Sequence, residues 1–260
     1  MSANPFDQQK AIIFHINSNG KLLSTVLAPQ EYQRKEGLNF VNKSASRIIQ
    51  YDEKLLIIGG VIPYKYGIEN DWGNTISLKP VIWLYHCDSS NIALIDQYKI
   101  NINYNSKKSN VQMMNDIILD DTKNKLLLFG AIDTTNNTQI KVSFPWMNIV
   151  SILNNKILVD STFISPFANF GHGSIKDAEQ SIDGNIYVVG DFQQELDTIP
   201  FWAVLDSNYK LINWSIIDLP EFATANNLSI GENNDIFIGG KAWTKDEYQM
   251  FIAHLYPFRL

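Results

Sequence analysis

An all-β fold assembled from repeated four-stranded units is what this chain of 260 residues predicts. Three observations carry the expectation. A phrase made of a turn and a strand, clearest as Ser181-Ile-Asp-Gly-Asn-Ile-Tyr-Val-Val-Gly190, recurs along the chain. A second phrase, clearest as Phe201-Trp-Ala-Val-Leu-Asp-Ser-Asn-Tyr-Lys-Leu-Ile-Asn-Trp-Ser215, sets two strands around a polar turn and alternates with the first. No segment sustains a helical period of useful length.

The strands of one unit are labelled a to d. The b strands are Lys54–Gly60, Lys125–Ala131, Asn185–Gly190 and Asp235–Gly240. Each is a short apolar run reaching glycine, as suits a strand buried on both faces of stacked sheets. Their glycines are expected to end the strands, at positions that need φ > 0 or a close backbone approach. Polar turns of Asp, Asn and Gly precede them, such as Asp120–Asn124 and Asp183-Gly184. The a strands lie ahead of those turns, as in Arg47–Gln50 and Asp116–Leu119. The c–d pairs span Ala11–Leu27, Ile82–Ile100, Ile149–Phe163 and Phe201–Ile217. The order runs c–d first and a–b last. A ring in which the amino-terminal pair completes the carboxy-terminal unit explains that order and leaves no open sheet edge. The expected architecture is therefore a β-propeller, one domain over residues 1–260, with four blades and its ring closed by the amino-terminal strands. Met250–Leu255 reads as a surplus fifth c strand, which keeps five blades as the alternative. His15, His86 and His254 align in three c copies and support that reading.

Asp183-Gly-Asn-Ile-Tyr-Val-Val-Gly190, then Phe201-Trp-Ala-Val-Leu-Asp206 and Leu211-Ile-Asn-Trp-Ser215, resemble a bacterial β-propeller repeat family. Its pattern is roughly Asp-x-x-Gly-Asn-Val-Tyr-Val-x-Gly, then Phe-Val-Ala-Lys-Leu-Asp, then Leu-x-Trp-Ser. The third unit is close, the first and fourth are recognisable, and the second is degenerate. The resemblance implies a propeller and brings no catalytic residues with it.

Composition sets further bounds. With 45% hydrophobic residues and 14 glycines the chain can bury a sizeable core. A formal charge of −6 argues against nucleic acid and anionic membranes as partners. A single cysteine, Cys87, rules out an intrachain disulfide framework. The first residues show no basic region followed by an apolar run, and no apolar stretch is long enough to span a bilayer, so a cytoplasmic location is expected. Phosphate-loop, zinc-protease, EF-hand and nucleophile-elbow motifs are missing.

Loop lengths point to a functional face. The a–b and c–d turns are short. The b–c and d–a connections read as long, notably Val61–Lys79, Ile132–Phe144, Ala28–Lys43, Asn101–Gln112 and Ser165–Ser174, and in a propeller they share one face. On that face lie Tyr64, Tyr66, Trp72, Phe170 and Trp243, with Phe167, Glu69 and Asp71 nearby. Aromatic rings beside carboxylates suit a peptide or a sugar, unless the rings plug neighbouring blades. A second set lies at the starts of the a strands: Ser46 and Arg47, Asn115 and Asp116, Asp177 and Glu179, Asn226 and Asn227. These would ring a central channel, holding an ion or polar ligand or only water. His172, on a glycine-flanked loop, is the general-base candidate by position. The other histidines belong to separate strands and do not make a metal site.

Two functions compete. One is a non-enzymatic binding module for a protein or peptide, with carbohydrate next, needing no cofactor or metal. The other is a hydrolase or lyase centred at the channel mouth on His172, Asp116, Asp177 and Glu179. Carboxylates within about 6 Å of each other would favour the second.

Overall fold

The computed structural model describes residues 12–16, 18–27, 44–68, 74–88, 91–100, 103–104, 107–108, 110–120, 122–135, 141–154, 156–164, 166–167, 171–194, 197–219, 222–244 and 247–255. Every regular element among them is a β-strand, so no described helix is long and apolar enough to cross a membrane. The chain forms two compact units, Met1–Asn101 and Ile102–Leu260.

In the first unit, β1 (Ile12–Ile16) pairs antiparallel with β2 (Leu22–Leu27) as a sheet of two strands. Next come β3 (Ser44–Gln50), β4 (Leu55–Ile68), β5 (Asn74–Cys87) and β6 (Ile92–Lys99), each antiparallel to the one before. Ile13 of β1 packs with Ile58, Val81, Trp83, Tyr85 and Ile92 of that meander. Trp83 satisfies its indole by donating from Nε1 to Gln97 Oε1 at 2.8 Å. Burial pushes the Tyr85 phenol up to about 12.

In the second unit, β7 (Asn103–Tyr104) and β8 (Lys107–Lys108) make a short ladder. A four-stranded meander follows, of β9 (Asn110–Asp120), β10 (Lys125–Thr135), β11 (Lys141–Leu153) and β12 (Lys156–Ile164). A second contains β13 (His172–Gln180), β14 (Ile186–Gln194), β15 (Asp197–Leu205) and β16 (Leu211–Ile216). The last sheet has three strands, β17 (Ala223–Ile230), β18 (Ile236–Thr244) and β19 (Glu247–Leu255). β19 is the surplus c strand of the sequence, paired to β18 as β15 is paired to β14.

Continuous apolar runs become strands buried on both faces. Ile186 and Val188 of β14 join Leu127, Phe129, Met147 and Phe201 in one core. Tyr187 and Val189, on the other face, join Trp202, Leu228, Ile236 and Ile238 in the next. Two shared cores thus hold three sheets face to face. The far face of the third sheet is apolar yet open, with Tyr248 67%, Met250 93% and Ile252 81% exposed.

All four a–b ladders carry a β-bulge at one register. Ala45 pairs Gly60 and Arg47 pairs Gly59, leaving Ser46 as the extra residue. Asn115, Lys176 and Asn226 are extra in the same way beside Gly130, Gly190 and Gly240. The third a strand therefore aligns through Lys176 and Asp177, not Asp177 and Glu179 as the sequence suggested. The glycines serve the bulge. A Cβ on Gly190 would run into the Ser174 carbonyl and one on Gly240 into the Thr224 carbonyl, and neither has positive φ. Close approach is the reason for these glycines, and the strands do not end at them: β14 runs on to Gln194 and β18 to Thr244.

The same extension shortens the expected loops. β4 and β5 continue as a ladder to Ile68 and Asn74, and β10 and β11 to Thr135 and Lys141. The first of these stretches contains Pro63 and Gly67. Pro63 is accommodated because Tyr64, the residue after it, is an extra bulge residue. The histidines are also not equivalent. His86 pairs Leu55 and His254 pairs Phe237, two positions closer to the strand glycine.

One polar clamp joins two sheets. Tyr209, in the β15–β16 turn, has φ 65, which is costly for a bulky side chain. Its phenol donates to Asp120 Oδ2 at 2.8 Å, Thr122 donates to Oδ1 at 2.6 Å, and Lys123 Nζ lies 3.6 Å from Oδ2. Burial alone would raise the Asp120 pKa, but those hydrogen bonds and the Lys123 charge hold it below the usual range. Burial, then the Asp120 hydrogen bond and charge, push Tyr209 upward.

Two stability measurements follow from this frame. Gly240→Ala, which must displace the Thr224 carbonyl, should cost about 1–3 kcal/mol in urea denaturation, whereas Gly239→Ala, which meets only the Asn227 Cβ at 3.9 Å, should be within about 0.5 kcal/mol of wild type. Tyr209→Phe should cost about 1–2 kcal/mol at pH 7. The clamp stabilises while Asp120 is ionised. A depressed folded-state pKa makes that stabilisation full above the unfolded value near about 4 and lost as pH falls through the folded value, so the gap between the two proteins should narrow as pH falls below about 4.

Candidate functional site

The a-strand carboxylates are brought together, but around backbone. The Ala178 N–H donates to Asp116 Oδ2 at 2.8 Å and also faces Asp177 Oδ1 at 3.0 Å, so these two oxygens meet the 6 Å separation with an amide between them. Three further oxygens are engaged too. Asp116 Oδ1 accepts from Ile117 N, Asp177 Oδ2 accepts from Leu228 N at 2.7 Å, and Glu179 Oε2 accepts from Ile230 N at 3.0 Å. Asn115 Nδ2 donates to the Ile175 carbonyl. Asp116 is 3% exposed. Carboxylates arranged this way tie β9 to β13 and β13 to β17; they supply acceptors for N–H groups of β13 and β17.

His172 does not join them. It is the first residue of β13, exposed, stacked on Phe144 at 6.0 Å, and roughly 15 Å along an extended strand from Asp177. Among the described residues no three His, Cys, Asp or Glu side chains converge as a metal site would require. Arg47 is exposed on β3 opposite Gly59. Tyr64 and Tyr66 lie on β4, and their side chains are outside the described residues, as are Trp72, Phe170, Glu69 and Asp71. Phe167 is fully buried in the core and is not a surface ring.

Trp243 is an aromatic candidate on a described strand. It is half-buried near the end of β18 and pairs Tyr248 across the β18–β19 hairpin, with ring centroids 4.5 Å apart at 70°. Its backbone N–H donates to the Phe222 carbonyl at 2.7 Å, fixing the chain where it enters β17. These residues line an open cavity of about 410 Å³ with Thr198, Ala223, Thr224 and Lys241. That volume is within the range of small-ligand pockets. Lys241 Nζ sits 5.1 Å from the Tyr248 ring centroid, a cation–π distance. Sequence reasoning found Trp243 and missed Phe222, Lys241 and Tyr248. The available signal was the hairpin itself, which sets Trp243 opposite Tyr248.

The two kinds of site predict different losses. Asp177→Ala should lower stability by about 1–3 kcal/mol by leaving the Leu228 N–H unpaired, and Asp177→Asn, which keeps an acceptor, should recover most of it. Chemical denaturation of the two variants reads this directly.

Comparison with known proteins adds little. No family model matches the chain, and no curated protein matches it. Among solved structures it resembles a "putative glycosidase" from Bacteroides thetaiotaomicron VPI-5482, at 10% identity and a TM-score of 0.29, over 84% of this chain and 87% of that one.

Proposed function

We propose that the repeated sheets are blades of a β-propeller and that the protein is a non-enzymatic binding module. Its ligand is a protein or peptide segment seated at the Trp243 cavity. The repeated meander, the shared bulge and the face-to-face stacking of three sheets in the second unit support the propeller reading. The observation that carries the binding reading is the cavity itself: a Trp–Tyr pair and Phe222 at strand ends, with no carboxylate among its described lining residues. The rival enzymatic reading keeps one close pair, Asp116 and Asp177, but the oxygens of that pair and Glu179 Oε2 already accept backbone N–H groups and His172 lies apart from them.

The test pairs a displayed random-peptide selection with a glycan array. Peptides should be selected, and Trp243→Ala should weaken their binding about thirtyfold, roughly 2 kcal/mol, with an unchanged melting curve. Asn19→Ala and Asn208→Ala, in turns of the opposite kind, should leave binding intact. Glycan hits that need Trp243 would move the ligand to carbohydrate. A Trp243→Ala protein that unfolds would make this ring a core residue.

A further inference from the structure

Two polar residues that line the cavity have hydrogen-bonding or charge capacity left over among the described residues, although Lys241 also faces the Tyr248 ring. Thr224 Oγ1 is buried and has no hydrogen-bond partner. Lys241 makes no ion pair among the described residues. The two residues are directly opposite each other in the β17–β18 ladder, which sets their Cβ atoms about 5 Å apart. A buried hydroxyl left unsatisfied costs free energy, and an ammonium beside it with no counter-ion offers the complementary charge. An acceptor bearing negative charge satisfies both. A carboxylate does so with one oxygen on each, in charge-assisted hydrogen bonds.

The rest of the lining selects what carries that carboxylate. Trp243, Tyr248 and Phe222 offer apolar surface immediately beside Lys241. Among the described residues the lining contains no Asp, Glu, Asn or Gln to pair the several hydroxyls of a sugar. The chain's net charge of −6 disfavours a polyanion such as a polyuronate, while one carboxylate beside apolar groups is tolerated.

Building on the binding-module reading above, we propose that this cavity recognises a peptide segment in which a single carboxylate is flanked by apolar side chains, with Lys241 and Thr224 holding the carboxylate and Trp243 and Tyr248 packing on its neighbours. The carboxylate comes from an Asp or Glu side chain or from a chain terminus, since the chemistry is the same.

The probe is a hexapeptide library, apolar at the flanking positions, whose central residue is Asp, Glu, Asn or Gln, each made with a free and an amidated carboxyl end. Acidic members should bind the full chain about tenfold or more tightly than their amide counterparts, less so as salt rises. If the preference follows the free end in place of the central residue, a terminal carboxylate is the recognised group. Lys241→Met should abolish the preference and Lys241→Arg should keep it. Thr224→Val should weaken it without lowering the melting temperature, because the lost hydroxyl has no partner in the free protein. Binding that needs Trp243 but ignores the acid, or an acid preference that survives Lys241→Met, overturns the inference and leaves the pocket reading standing. Binding of an oligo-uronate through Lys241, with no peptide bound, replaces the peptide with a sugar. No Trp243-dependent binding of any peptide or sugar overturns both.

Discussion

A strand on the inner edge of a sheet has a row of N–H groups that no neighbour in its own sheet can satisfy. In the larger unit, acidic side chains from the adjoining sheet meet that need. Asp116 reaches Ala178, Asp177 reaches Leu228, and Glu179 reaches Ile230. The bulge at Asn115 and at Lys176 sets the following Asp at one register in each strand. The bulge requires the a-strand carbonyl to approach the b strand, and glycine opposite it leaves room. Sheet spacing, the glycines and the acidic residues are therefore one device. Side chains that read as catalytic in isolation hold the stack together.

The cavity arises where the repeat is least regular. Across three c strands, Pro80, Pro145 and Pro200 precede the residue paired with the strand glycine, and Met250 takes that place in β19. The Pro80 and Pro200 carbonyls accept from Ile100 and Ile217, just past their d strands. Beside Met250 the described sheet has three strands, and its outer face carries exposed Tyr248 and Lys241. Function is most readily placed where a repeated frame departs from its pattern, since the regular positions are committed to packing.

Much of the frame was legible in the sequence because strand signals are local. Apolar runs, Asp and Gly turns and recurring phrases located the a, b, c and d strands, including β19. Two things were not. The continuation of β4 and β5 into the span Val61–Lys79 depends on their pairing, including a bulge at Tyr64 after Pro63, which only the partner strand reveals. The role of Asp116 and Asp177 depends on backbone in a sheet about sixty residues further on, and no spacing rule announces such a partner. The site was legible in part. Trp243 was visible as an aromatic near a connection, but Thr224 and Lys241 come together through ladder register, and an unpartnered hydroxyl has no signature in composition.

Within each unit, every described ladder joins strands that follow one another in the chain. Hairpins of this kind close in microseconds, and their loop-closure entropy is small. The slow events are then the docking of preformed meanders, each waiting for the acids of its neighbour. Within a unit, such a chain can organise sheet by sheet as it leaves the ribosome.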